Sequence, residues 1–329
     1  MAPGDTIGQM EALLQARRFA EAARLLLAAS DAGDVAATAE LAHWRITGNL
    51  IRRDLAEARR LLASAAAKGD GESALLHAGF LAGGVGGPDD WPGAVAALRT
   101  LAKREARAAA QLRLIEAMEL DDAGYPRRPI EPLRLSEAPY AAAAAGFMTE
   151  AECDYLKSAA EAGLQPSVVV DPVTRRTVPN PVRKSDGAVF GVFAEDPVVN
   201  ALNRRIAALS GTRLDQGEPL QLLRYRPGGE YKPHMDALPA EPNQRIITVL
   251  VYLSDDYEGG ETSFPRTGLS FRGRTGDALL FRNAGADGRP DPLALHAGLP
   301  VTRGAKYLAS RWIRAGRFTF PPPRPLVEI

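Results

Sequence analysis

From Glu11 to about Ala117 apolar residues recur at helical spacing in a stretch rich in Ala, Leu, Arg and Glu, which predicts amphipathic helices. Shifted by 36 residues, this stretch matches itself: Ala32-Gly33-Asp34 against Lys68-Gly69-Asp70, Trp44 against Phe80, Gly48 against Gly84, Asp54 against Asp90, Ala58 against Ala94. A period of that length predicts helix-turn-helix units, each too small to bury its apolar face alone and therefore stacked on its neighbours. The small residues permit close helix approach, and the recurring glycines end helices or allow tight turns.

Residues 121–136, DDAGYPRRPIEPLRLS, read as a linker because three prolines and alternating charge interrupt any period. Beyond it GFMTEAECDYLKSAAEAG predicts a helix in which Thr149 and Glu152 form a capping box. PVVNALNRRIAALSG predicts a second helix, ending at Gly211. The pattern then changes to short β-branched and aromatic runs divided by turn residues: 220–225, 245–253, 277–282 and 306–314. The stretch 171–187, rich in proline and basic residues, reads as a mobile loop able to close over a substrate. The fold expected is α+β in two domains. Residues 1–120 make an α-solenoid of short repeats, 137–317 a β-sandwich or barrel-like core buttressed by helices, and 318–329 a Pro-rich tail.

Composition narrows the function. Apolar residues make up 46% of 329, so buried cores are expected. Forty basic and forty acidic side chains cancel, which removes the electrostatic case for nucleic acid or an anionic membrane as partner. The start, MAPGDTIGQMEALL, lacks the features of a secretory signal, and no run has the length and apolarity of a membrane span. Cys153 is the single cysteine, which excludes an intrachain disulfide and a thiolate zinc cluster. A cytoplasmic protein is the expectation.

Of four histidines, His43 and His77 fall inside the helical repeats, where a packing or surface role is the default. His234 and Asp236 are two apart in YKPHMD, so an extended backbone points both at one ion. His296 reaches them only by folding back across a sheet. Two imidazoles and one carboxylate leave open positions on a metal, the arrangement of non-heme Fe(II) oxygenases. A bare His-x-Asp is commonly a surface turn; its company matters here. In KYLASRWIR, alternation places Lys306, Leu308, Ser310 and Trp312 on one inward face. An inward ammonium needs an anion, which is either the far carboxylate of a keto acid or an internal Asp or Glu.

With these residues in place, the chain from about Ala138 to Arg314 resembles the catalytic domain of the prolyl 4-hydroxylase α-subunit family of 2-oxoglutarate dioxygenases. The resemblance runs through MTEAECDYL, PLQLLRYRPGGEYKPHMD, RIITVLVYLSDDYEGGETSFP and HAGLPVTRGAKYLASRWIR, in family order. It implies a double-stranded β-helix (jelly roll), Fe(II) held by His234, Asp236 and His296, and Lys306 binding the 5-carboxylate of 2-oxoglutarate. Tyr225 and Thr262 would help hold that carboxylate, and Tyr252 would line the pocket. Tyr231, Arg245 and Trp312 would contact a peptidyl substrate, with Glu218 near the same groove. The resemblance further implies O2 as co-substrate, ascorbate to rescue oxidised iron, and 4-hydroxylation of a prolyl residue with succinate and CO2 as co-products. Each secondary role has a plainer alternative: core tyrosines, an Arg245 ion pair, simple Trp312 packing. Hydroxylation of a free amino acid or small metabolite, or a non-catalytic scaffold, are the rival functions. Ser254 and Lys184 depart from the family pattern at positions assigned to substrate loops. The N-terminal half, with ARRLLASAAAKGD, resembles Sel-like repeats of the tetratricopeptide type, which implies protein binding, or else packing on the chain's own catalytic domain.

Overall fold

The computed structural model describes residues 6–170, 177–191, 193, 195–285 and 287–327. In the Ala-rich half the helices are Thr6–Gln15, Phe19–Asp31, Val35–Thr47, Leu55–Ala67, Gly71–Gly83, Trp91–Leu101 and Ala106–Ala117, each packed on the next. The 36-residue repeat proves to be capping and packing chemistry. Asp34 and Asp70 cap Val35–Thr47 and Gly71–Gly83, their carboxylates accepting from the N–H of Ala37 and Ser73. Asp54 and Asp90 do the same for Leu55–Ala67 and Trp91–Leu101. An acidic cap satisfies an orphan backbone donor and faces the positive end of the helix dipole. Gly48 and Gly84 end their helices with φ of +72° and +65°, a left-handed turn that a side chain would oppose. Trp44 and Phe80 fill equivalent buried positions, and Ala58 and Ala94 are both wholly buried.

Packing divides the chain into two compact units: residues 1–125 with 192–201 and 319–329, and residues 126–191 with 202–318. Two expectations are corrected by this division. The Pro-rich end is not a separate tail: Leu326 and Val327 donate their N–H groups to Asn49 and Leu50 carbonyls at 3.1 and 2.9 Å. The prolines keep that segment extended, so its few N–H groups are presented for pairing. The linker also ends early. Its last residues enter the strand Leu133–Glu137, paired antiparallel with Tyr140–Ala144, because LRLSE follows the last proline and is free to donate to a ladder.

Among the described residues the β-rich unit has one sheet of eight strands. Their order is Leu133–Glu137, Tyr140–Ala144, Ala278–Arg282, Arg245–Tyr252, Lys306–Arg314, Gln221–Tyr225, Asp186–Val189 and Gln165–Pro166. A second sheet runs Leu269–Phe271, Thr262–Phe264, His296–Gly298, Tyr231–His234. Side chains of both meet in a buried cluster that includes Leu223, Tyr225, Leu250, Tyr252, Phe264, Phe281 and Leu308. This is a double-stranded β-helix. The helix Glu150–Ala160 buttresses it, Pro197–Ser210 lies in the same unit from residue 202 on, and the capping-box Glu152 takes a second role there. Buried, it receives both terminal nitrogens of Arg205 at 2.7 and 2.8 Å.

The stretch 171–187, expected as a loop, is partly strand. Val168–Val170 pairs with Thr177–Pro179, and Asp186–Val189 pairs with Gln221–Tyr225. The part of the expected mobile loop at 171–176 lies outside the described residues. No helix among the described residues is long and apolar enough to cross a membrane.

Candidate active site

Sheet register, rather than sequence proximity, assembles the site. In the smaller sheet His296 lies directly opposite His234, which closes the long gap between them. Ligand atoms of His234, Asp236 and His296 all fall within 4.8 Å of one another. The Nε2 atoms of His234 and His296 each stand 3.6 Å from an oxygen of Asp236. Both imidazoles are oriented from behind. His234 Nδ1 donates to the Lys232 carbonyl at 2.8 Å, and His296 Nδ1 to the Ala294 carbonyl at 3.0 Å. With Nδ1 carrying the proton, each Nε2 presents a lone pair, as a metal ligand must. Tyr231 stacks on His234 at 3.4 Å between ring centroids, and Phe281 meets His296 edge-on at 4.6 Å.

The ionisation of Asp236 agrees with ligation. Burial alone would raise the Asp236 carboxyl, but proton charge shared with His296 and His234, together with the Thr248 hydroxyl, outweighs it. They hold it below the usual carboxylate range. Burial lowers His296, against the pull of Asp236. A divalent ion takes the place of that shared proton, and an ionised carboxylate with two imidazole nitrogens is a donor set that fits Fe(II).

The same cavity is lined by Lys306, Leu308, Ser310 and Trp312, the alternating face of the last strand, and by Tyr225, Tyr231 and Thr262. Lys306 is 2% exposed, sits opposite Tyr225 in register, and donates to the Gly260 carbonyl at 2.7 Å. Gly260, at φ +70°, turns that carbonyl toward the ammonium; a side chain there would press on the Lys306 stem. Burial pushes Lys306 down to about 7, with Glu261 pulling the other way. No carboxylate makes an ion pair with Lys306 among the described residues, so the internal salt bridge considered for it does not form. Burial also raises Tyr225, Tyr231 and Tyr252, which keeps their hydroxyls protonated.

The structure separates the remaining expected residues. Tyr252 does not line the cavity; its hydroxyl meets Oγ1 of Thr262, which does, at 2.7 Å. Arg245 and Glu218 also stand off the cavity, joined by two bonds of 2.6 and 2.8 Å, with Arg314 adding a third at 2.6 Å. The Arg245 guanidinium lies over the Trp312 ring at 3.7 Å. The pair thus backs Trp312, whose indole N–H has no hydrogen-bond partner among the described residues. Ser254, assigned to a substrate loop, instead ties the last strand: its hydroxyl donates to the Ala305 carbonyl at 3.1 Å and accepts from the Tyr307 N–H at 2.9 Å. Lys184 is exposed and pairs with Glu230 at 3.3 Å. Its neighbour Arg183 does line the cavity, held by Ser167 at 3.1 Å over the Tyr231 ring. Sequence reasoning missed it. No local pattern marks it, because the isolated bridge between Arg183 and Tyr231 is what brings the guanidinium inward.

Two imidazoles, one carboxylate and a buried ammonium lining a single cavity inside a jelly roll define a facial-triad Fe(II) oxygenase. A profile of the 2OG-Fe(II) oxygenase superfamily matches residues 220–314, the segment carrying all four groups. Prolyl 4-hydroxylase 1 of Arabidopsis thaliana is 38% identical over 204 residues, 56% of this chain and 72% of the relative. Prolyl 4-hydroxylase 5 of the same plant is 35% identical, covering 63% of this chain and 78% of that one. Among solved structures, the viral collagen prolyl hydroxylase of Paramecium bursaria Chlorella virus-1, a 2OG complex, shares 30% identity with a TM-score of 0.45. It covers 55% of this chain and 98% of its own. A Sel1 repeat protein from Oxalobacter formigenes shares 23% identity with a TM-score of 0.30, covering 34% of this chain and 47% of its own. The chain belongs to the prolyl 4-hydroxylase family, and it is a 2-oxoglutarate-dependent dioxygenase.

Proposed function

We propose that this enzyme hydroxylates C4 of a prolyl residue in a peptide or protein, consuming 2-oxoglutarate and O2 and releasing succinate and CO2. The observation that carries this reading is a triad sharing its cavity with a buried lysine that forms no ion pair among the described residues, on a chain of this family. Fe(II) held by His234, Asp236 and His296 would supply the activation of dioxygen coupled to oxidation of the keto acid. Ascorbate would keep that iron ferrous.

The chain's own residues do the placing. Lys306 receives the distal carboxylate of 2-oxoglutarate, and Tyr225 and Thr262 donate to it, with Tyr252 holding the Thr262 hydroxyl in position. Tyr231 and Trp312 flank the cavity and meet the peptide. Arg245 and Glu218 fix the Trp312 plane from behind, and Arg183 adds a donor at the same wall. All these groups fall in residues 137–317, the proposed catalytic domain. The helical repeats, read as Sel-like, would bind a protein partner that bears or presents the substrate. A cytoplasmic location belongs to the same reading, supported by a single, buried thiol.

Proline-rich peptides incubated with Fe(II), 2-oxoglutarate and ascorbate are expected to gain the mass of one oxygen at proline C4, read by tandem mass spectrometry. Turnover of free proline with inert peptides would contradict the peptidyl substrate. Tyr252→Phe is expected to raise KM for 2-oxoglutarate about fivefold, because loss of a typical hydrogen bond costs about 1 kcal/mol. An unchanged KM in succinate assays would remove Thr262 from the keto-acid site.

A further inference from the structure

The triad carboxylate is backed by a buried polar chain. Thr248, in the strand Arg245–Tyr252, donates its hydroxyl to Asp236 Oδ2 at 2.6 Å. Asn283, just past Ala278–Arg282, donates from Nδ2 to Thr248 Oγ1 at 2.8 Å. Thr248 and Asn283 are completely buried. The backbone of Asn283 is tied on both sides, its N–H donating to the Ile246 carbonyl at 2.8 Å and its own carbonyl accepting from the Asp291 N–H at 2.9 Å.

Hydrogen count gives this chain a single direction. A threonine hydroxyl carries one hydrogen. With the Asn283 amide donating to Oγ1, that hydrogen is left for Asp236. A flipped amide would ask the hydroxyl to donate twice. The arrangement leaves Asn283 Oδ1 without a hydrogen-bond partner among the described residues, an uncompensated burial that a leucine of similar volume would avoid. A buried asparagine with one end unpaired is accounted for by what its other end does.

The geometry points to Thr248 and Asn283 as positioning residues that lock the plane of the Asp236 carboxylate. Oδ2 accepts from Thr248 at 2.6 Å and stands 3.6 Å from His296 Nε2, while Oδ1 stands 3.6 Å from His234 Nε2. A carboxylate whose plane is fixed this way stays aimed between the two imidazoles and does not swing into the positions that the keto acid and dioxygen require. The inference rests on the reading of the triad as an Fe(II) site.

The test uses the full chain and Co(II) alone as probe, with affinity from calorimetry, the visible Co(II) spectrum as signature, and thermal melting as the check on folding. Thr248→Val is expected to weaken Co(II) binding about tenfold or more, as loss of a ligand's hydrogen-bond partner does, and to alter the spectrum. Thr248→Ser, which keeps the hydroxyl, is expected to restore affinity to within about threefold. Asn283→Leu is expected to lose about threefold or more with an unchanged or raised melting temperature. Wild-type affinity and spectrum in both Thr248→Val and Asn283→Leu would overturn the inference. Should Thr248→Val not fold, Asn283→Leu decides alone: weakened binding supports the chain, and wild-type binding overturns it. Failure of the unaltered protein to bind Co(II) would instead defeat the Fe(II) reading itself.

Discussion

Asp236→Ala is expected to abolish Fe(II)-dependent succinate formation, with a loss beyond the roughly 100-fold seen when only a ligand's hydrogen-bond partner is removed. Asp236 is the one anionic member of the triad, buried and facing both Nε2 atoms at 3.6 Å. Without it two neutral imidazoles face a divalent ion with no compensating charge, and Thr248 loses its acceptor. Residual metal affinity should therefore be small, and the variant should fold, because removing a buried carboxylate also removes its desolvation cost. Succinate release, assayed with 2-oxoglutarate and no peptide, reads the loss directly. Turnover near that of the unaltered enzyme would show that the metal is held elsewhere.

The second large effect is at Lys306. Removing one partner of a buried charged pair costs about 2–5 kcal/mol, so Lys306→Met should raise KM for 2-oxoglutarate by at least roughly 30-fold. A pH dependence follows from burial, which lowers the folded-state value from 10.5 to about 7. In the ligand-free enzyme the lysine loses its proton above that point, so 2-oxoglutarate affinity should fall as pH rises past about 7, and binding at alkaline pH should take up a proton. The stability effect has a definite sign. Between about 7 and 10.5 the unfolded chain binds more protons than the folded one, so the lysine's contribution improves as pH rises through this window and weighs against the fold below it. The melting-temperature gain of Lys306→Met in ligand-free protein should accordingly be largest below pH 7 and shrink toward 10.5. Calorimetry of 2-oxoglutarate binding in buffers of different ionisation enthalpy measures the proton uptake. A pH-independent affinity would remove Lys306 as the anion's partner.

Much of this is legible in the sequence, for identifiable reasons. The helical repeat showed because Asp34, Asp54, Asp70 and Asp90 are caps, and caps recur wherever helices restart. The inward face of Lys306–Arg314 showed because strand alternation is strict, and Lys306, Leu308, Ser310 and Trp312 do line one cavity. Other features depend on contacts between distant strands. Leu133–Glu137 was masked by the prolines before it, since a proline-rich approach and an edge strand share a composition. The mutual pairing of Arg245 with Glu218 was only one of two readings until the register set them side by side. Arg183 and Asn283 left no local signal, because an arginine in a basic stretch and an asparagine after a strand are ordinary residues until a buried partner is seen. The fold-level pattern is periodic and can be read from the chain; the supporting hydrogen bonds of the site are not.

The central claim is that His234, Asp236 and His296 hold one ferrous ion and that Lys306 anchors the keto acid beside it. An anaerobic titration of the full chain with Fe(II) and 2-oxoglutarate tests it most directly, by the visible charge-transfer absorption of a chelated keto acid. The band should grow to saturation with iron bound one to one, vanish in Asp236→Ala, and demand far more 2-oxoglutarate in Lys306→Met. No band with the unaltered protein, or an undiminished band in Asp236→Ala, would contradict the account.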